Sequence, residues 1–325
     1  RLAVRSSGFC FPEGPIAPGL VNPEGVWMRL AAIDIGSNSI HMVIADAGGP
    51  QGFEVIDRER EVVQVGRGSF ESGKLRPDAI RRTAESLGRF VQLARRHQVD
   101  RILCTATAAV REARNGGDFL SAARRLTGVN PRVIPAAEEG RLIYMGVRSA
   151  LALGEKPAAI VDIGGGSMQL VLGNQDRCLL TLSAPLGALR LTETFLDSDP
   201  PSRRGLERLR RFLRKAAAAP LEEMRAARPR RAYGSSGSIH ALAHLAHWDE
   251  TASPIAHVNG HVLTLEALKR VSKRLQDMTQ EERNRLPALD AHRAEIIVAG
   301  AVVLGGGTAA QGDPADRDRG DPRVR

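Results

Sequence analysis

Aromatic side chains make up only 4% of the 325 residues, with two tryptophans and two tyrosines. A surface that stacks bases needs aromatics interleaved with cations, so no nucleic-acid partner is expected. Cys10, Cys104 and Cys178 are odd in number and widely separated. They give neither a disulfide framework nor metal-ligand spacing, and fit a reducing cytoplasm. The longest apolar run, 296–304, falls far short of the ~20 residues that cross a bilayer, so no membrane partner is expected either. Residues 1–27 lack the basic-then-apolar order of a secretory signal. Lysine occurs only at Lys74, Lys156, Lys215, Lys269 and Lys273, among 46 basic residues.

Arginine and alanine are abundant instead, and the formal net charge is +9. A positive balance attracts polyanions at long range, although an Arg- and Ala-rich composition accounts for it equally well. Eleven basic residues fall between Arg203 and Arg231, against Glu207, Glu222 and Glu223. Leu206, Leu209 and Leu213 recur there at helical spacing, so these cations read first as the solvated face of an amphipathic helix.

One segment occurs twice. Ile33-Asp34-Ile35-Gly36-Ser37-Asn38-Ser39 returns in the second half as Val161-Asp162-Ile163-Gly164-Gly165-Gly166-Ser167. The flanks match as well, Ile40-His41-Met42-Val43-Ile44 against Met168-Gln169-Leu170-Val171-Leu172. Each copy reads as apolar strand, tight Gly/Ser turn, apolar strand. Such a turn lets backbone N–H groups approach an anion, and serine hydroxyls add donors. An aspartate at the strand end supplies a hard oxygen for Mg²⁺ or a water. Two such turns facing each other would grip a chain of phosphates from both sides.

Strands and crossover helices alternate around each copy, which predicts an α/β fold of two like domains with a cleft between them. The expected divisions are a disordered leader over 1–27, a first domain over 28–155 and a second over 156–304. Met28 is expected to be the natural start, with the stretch before it a translated leader. From 305 to 325 Gly and Pro alternate with Asp and Arg, a composition that cannot bury a core and is expected to be a disordered, aberrant tail such as a frameshift leaves.

The duplicated turns, with Ala106-Thr107-Ala108-Ala109-Val110-Arg111-Glu112-Ala113-Arg114-Asn115 and Glu138-Glu139-Gly140-Arg141-Leu142-Ile143 between them, resemble the exopolyphosphatase/guanosine pentaphosphate phosphatase family. That family belongs to the actin, sugar-kinase and heat-shock ATPase superfamily. Gly234-Ser235-Ser236-Gly237-Ser238 is similar to a fifth, weaker family segment. The resemblance covers about 28–304 and implies two tandem ribonuclease-H-like domains with substrate phosphates in the interdomain cleft. It further implies hydrolytic removal of a terminal phosphoryl group, with Mg²⁺ as cofactor and room for a monovalent cation such as K⁺. The substrate would be inorganic polyphosphate or guanosine pentaphosphate of the stringent response, and the assembly a homodimer.

Carried over residue by residue, the resemblance makes Glu139 the base that orients water, with Glu138 its adjacent alternative. Asp162 would contact the metal or the attacking water, with Asp34 as its repeat mate. Gly36, Ser37, Asn38, Ser39, Gly164, Gly165, Gly166 and Ser167 would bind phosphate oxygens. Arg111 would hold a phosphate bidentately, and Gly234, Ser235, Ser236 and Gly237 a distal phosphate or nucleoside. Each residue has a plainer role available: helix-start carboxylates, an aspartate capping its own turn, a strand-to-helix turn. One departure stands out. Where family members carry Glu two residues after the second turn's serine, this chain has Gln169, which could ligate a metal through its amide oxygen but brings no charge. A binding protein without turnover and a small-molecule kinase on the same fold are the alternatives from other classes.

Overall fold

The computed structural model describes residues 2–4, 28–48, 53–287 and 289–309. The first sheet is built from β2 (Met28–Ile35), β3 (Ser39–Ala47), β4 (Phe53–Val62), β5 (Arg101–Ala106) and β6 (Arg132–Val133), in the order β4-β3-β2-β5-β6. The first three strands are antiparallel, and β5 and β6 continue parallel to β2. That is the strand order of a ribonuclease-H-like sheet. Alternation along β2 puts Ala31, Ile33 and Ile35 into one core with Leu87, Phe90 and Val91 of α2 (Pro77–Arg96) and Phe119 and Ala123 of α4 (Gly116–Thr127). Asp34, one residue out of phase, therefore faces the other side of the sheet. Pro77 stands at the start of α2, where its missing N–H costs nothing. Two short helices complete this half, α1 (Ser69–Ser72) and α3 (Ala108–Glu112).

The second sheet repeats the plan with β7 (Ala158–Ile163), β8 (Met168–Gly173), β9 (Cys178–Ala184) and β10 (Arg231–Ser235). Its full order is β11-β1-β10-β7-β8-β9, where β11 is His261–Leu263 and β1 is Leu2–Val4. Helices α6 (Ala188–Phe195), α7 (Arg203–Ala216), α8 (Ala218–Ala226), α9 (Gly237–Thr251), α10 (Leu265–Asp277), α11 (Gln280–Asn284) and α12 (Ala291–Ala309) surround it. Leu189, Leu209, Leu242, Leu275 and Ile297 are buried in its core.

Several expectations are corrected. Leu2–Val4, placed in a disordered leader, form a strand parallel to β10 and antiparallel to β11, because the edge of β10 offers unpaired backbone groups. The remainder of 1–27 lies outside the described residues. The last helix runs on to Ala309, five residues into the segment read as tail, since an established helix adds a hydrogen bond per residue; 310–325 lie outside the described residues. The amphipathic helix read between Arg203 and Arg231 is two helices, joined at Ala217, where Pro220 cannot donate to the Ala216 carbonyl.

The most consequential difference concerns α5 (Ala136–Ala150), which the division at 155/156 assigns to the first half. Its Tyr144 and Val147 pack with Ile160 and Val171 of the second sheet, and Thr181 of β9 lies against Gly140. The hydroxyl of Tyr144 donates to the Asn174 carbonyl at 2.8 Å. Helix α5 thus reaches across from the first sheet and packs upon the second.

Candidate active site

Both glycine turns close in the same way. The Gly36 N–H donates to the Ser39 carbonyl at 3.0 Å, and the Gly164 N–H to the Ser167 carbonyl at 3.0 Å. The turns lie against each other. A Cβ added at Gly165 would fall 2.9 Å from Asn38 Cβ, and one at Gly166 would fall 2.5 Å from Ser37 Oγ. The lack of side chains at these two positions is what lets the halves meet here.

Neighbouring elements take up the carbonyls of each turn. The start of α6 serves the second: Ala188 N–H donates to Gly164 O at 2.9 Å and Arg190 N–H to Gly165 O at 3.1 Å, and Arg190 Nε donates to Gly166 O at 2.7 Å. The loop after β4 serves the first, with Gly66 N–H on Ser37 O at 2.9 Å and the Val63 and Gln64 N–H groups on Asn38 O. In a trans peptide the N–H points opposite the C=O. The N–H groups of Asn38, Gly165, Gly166 and Ser167 therefore point away from those neighbours, and none donates to protein among the described residues. A row of free backbone donors is an anion nest. The serine hydroxyls are partly used internally: Ser37 Oγ accepts from Ala109 N–H at 3.2 Å and Ser39 Oγ from Asn38 Nδ2 at 3.2 Å.

Three carboxylates converge behind the turns. Asp34 is pushed up to about 7, first by burial, then by the charges of Glu139 and Asp162, against a hydrogen bond from Thr105. The two turns that the aspartates precede lie in contact, and the charge of Glu139 reaches Asp34, so the three carboxylates line one groove. Register makes the two aspartates equivalent: Asp34 pairs with His41 across β2–β3, and Asp162 with Gln169 across β7–β8.

Glu139 lies in the first turn of α5, and its Oε2 accepts from Arg111 Nη1 at 3.1 Å. Arg111 also donates to the Ile134 carbonyl at 2.8 Å, which fixes the guanidinium. Burial raises the Glu139 carboxyl, while the charge and hydrogen bond of Arg111 pull it back toward ionisation. Arg111 stands on α3 of the first half and Glu139 on the helix packed upon the second, so this pair spans the two. Glu138 turns outward to a salt bridge with exposed Arg132; of the two candidates only Glu139 enters the groove. Arg114, three residues on, is exposed and donates to Ser72 O at 2.9 Å. Asn115 closes the motif by exchanging two hydrogen bonds with the Leu75 backbone.

Gln169 is 2% exposed, donates to Ser167 Oγ at 3.2 Å and leaves Oε1 with no protein partner. Asn38 Oδ1 is likewise buried and unpartnered. Orphaned amide oxygens beside carboxylates are hard donors that fit Mg²⁺. No three acidic, His or Cys side chains among the described residues form a complete metal cage. A cation here would take Asp162 and Gln169 together with water and phosphate oxygens, the usual manner of Mg²⁺.

The Gly234–Ser238 turn follows β10, where Ser235 stands in register with Asp162, so it reaches the same sheet edge. Ser236, at φ +91°, caps α9 by accepting from Ile239 N–H at 3.5 Å. Arg293 packs over Gly237, and burial, then repulsion from Arg60, lowers it to about 10. His41 is lowered to about 4 by burial and by Arg60 and Arg293.

The structure thus gathers Asp34, Arg111, Glu139, Asp162, Ser167, Gln169 and both turns. It adds Thr105, His41 and Arg190, which the sequence reading gives no role. For Arg190 a signal existed, a lone cation between Leu189 and Leu191, which are both buried. His41 could have been found as the repeat mate of Gln169.

Residues 42–307 match the Ppx/GppA phosphatase family. Exopolyphosphatase 2 of Mycobacterium tuberculosis is 34% identical over 290 residues, covering 85% of this chain and 88% of that protein. Exopolyphosphatase 1 of Mycobacterium leprae is 32% identical over 278 residues, covering 85% and 81%. Among solved structures, an exopolyphosphatase from Cytophaga hutchinsonii superposes with a TM-score of 0.80 at 25% identity, covering 86% of this chain and 89% of that one. The Ppx/GppA family member of Aquifex aeolicus gives 0.69 at 30% identity, covering 87% and 90%.

Proposed function

Because this chain belongs to the Ppx/GppA phosphatase family, we propose that it hydrolyses the terminal phosphoryl group of inorganic polyphosphate. The free N–H groups of the two turns hold the terminal phosphates, and Arg111 adds a guanidinium. Glu139 orients the attacking water and takes its proton. Asp162 and Asp34 flank that water. Mg²⁺, when bound at Asp162 and Gln169, would neutralise charge on the transferred group.

The observation that carries this reading is Glu139 itself. Its side chain is only 18% exposed, is gripped by Arg111, and lies near enough to Asp34 for its charge to act there. The named relatives are exopolyphosphatases, which favours polyphosphate over guanosine pentaphosphate. Phosphate release from polyphosphate is expected to fall about 10²–10⁴-fold in kcat on Glu139→Gln. An unchanged rate would overturn the role of Glu139. Preference is decided by competing the two substrates in the same assay, and binding of polyphosphate without release would make the chain a sensor.

A further inference from the structure

Arg190 joins three elements through one guanidinium. It lies in the first turn of α6 with its side chain 15% exposed. Its Nε donates to the Gly166 carbonyl at 2.7 Å and its Nη2 to the Glu112 carboxylate at 2.6 Å, while the guanidinium carbon sits 4.0 Å from the Phe70 ring centre. Gly166 belongs to the second half; Glu112 and Phe70 belong to the first. Phe70 also fits against Gly66 and Gly166, both of which leave room for its ring. Glu112 directly follows Arg111 on α3.

The Gly166 carbonyl and the Ser167 N–H are the two ends of one peptide plane, so the tilt that satisfies Arg190 also aims the Ser167 N–H. Glycine lacks the Cβ that would restrict this tilt, and an external hold has to supply the restriction. A planar fork of donors can serve a carbonyl and a carboxylate at once while stacking on a ring; an ammonium cannot.

We propose that Arg190 is the positioning residue of the second turn. It fixes the tilt of the Gly166–Ser167 peptide toward substrate phosphate, and through Glu112 and Phe70 it does so only while the two halves are in contact. Parting of the halves removes two of its three partners and loosens the turn, so the donors are aligned only in the closed protein. The inference rests on the phosphohydrolase reading above and adds to it the device that couples closure to phosphate alignment.

The test combines phosphate release from inorganic polyphosphate with amide exchange of segment 163–168, with and without tripolyphosphate. It compares the full-length wild type with Arg190→Gln, Arg190→Lys, Glu112→Gln and the Arg190→Gln/Glu112→Gln pair. Arg125→Gln, on an exposed part of α4, controls for loss of one positive charge. Arg190→Gln and Arg190→Lys are expected to lower kcat about ten- to a hundredfold, with KM moving far less. Both should lose the tripolyphosphate protection of 163–168. Glu112→Gln should give a smaller loss that does not add to that of Arg190→Gln. In Arg190→Ala, added guanidinium ion should restore part of the rate where ammonium does not, a readout that a merely structural arginine would not move. Rates within twofold of wild type for Arg190→Lys and Arg190→Gln, or undiminished protection, would overturn the proposal. Should wild type bind tripolyphosphate yet release no phosphate, the hydrolase reading fails, while the exchange result still decides Arg190.

Discussion

Adjacent residues in one helix can face opposite ways, and Glu138 and Glu139 do. Glu138 is tied to Arg132 in solvent, while Glu139 meets Arg111 and Gln169 in the groove. Glu138→Gln should therefore leave phosphate release near wild type while Glu139→Gln abolishes most of it. Gln169 brings no charge to the groove, and its amide donates to Ser167 Oγ. A carboxylate there would add charge to a groove in which Asp34 is already pushed up to about 7. With Gln169→Glu, the Mg²⁺ concentration for half-maximal activity should fall several-fold. No change in that concentration would remove Gln169 from the metal's surroundings.

At the scale of elements, the turns depend on close approach. A Cβ at Gly166 would meet Ser37 Oγ at 2.5 Å, Phe70 Cζ at 2.7 Å and Ala108 Cβ at 3.0 Å. Gly166→Ala should push the turns apart, costing roughly 1–3 kcal/mol of stability and most of the activity, as urea melts and phosphate release would show. Gly154 has φ +77° and open space around it. Gly154→Ala should cost about 1 kcal/mol through backbone strain and leave the rate intact, which separates a stability effect from a site effect. The strands and turns themselves were legible in sequence, since period-two alternation and Gly/Ser runs are local signals. The packing of α5 was not. Its apolar stripe states that it must be buried, and only the complementary stripe on β8 and β9 decides against which sheet.

Across the whole molecule, charged contacts join the halves around the meeting of the turns. Arg60 pairs with Asp290 at 3.1 Å, Gln64 donates to Glu295 at 2.9 Å, Arg67 pairs with Glu295, and Gly68 N–H donates to Glu193 at 3.0 Å. His41 lies under this seam, held neutral by burial and by Arg60 and Arg293, with its proton affinity lowered from 6.5 to about 4. A histidine so depressed binds fewer protons folded than unfolded, so its contribution to stability is complete above pH 6.5 and is lost as pH falls toward 4. That contribution is at most about 3 kcal/mol. Asp34, raised from 3.8 to about 7, works in the opposite sense over the same range, losing stability as pH rises. The clean measurement is therefore the difference between wild type and His41→Gln in urea midpoint at pH 7.5 and at pH 5.0. The wild type should lose more on acidification than the variant; equal losses would remove His41 from the seam's pH response.

Sequence alone determined the duplicated strand–turn–strand units, the α/β class and the residue types able to hold phosphate, because each is written in contiguous residues whose backbone preferences act over a few positions. It also supplied Glu139 and Arg111, through the family's motifs. Tertiary structure alone decided that Asn38 meets Gly165, that Glu139 rather than Glu138 enters the groove, and that Arg190 binds the two halves at the second turn. Those outcomes depend on surfaces that meet only after both sheets have formed, where complementarity of shape and charge between distant segments selects the arrangement.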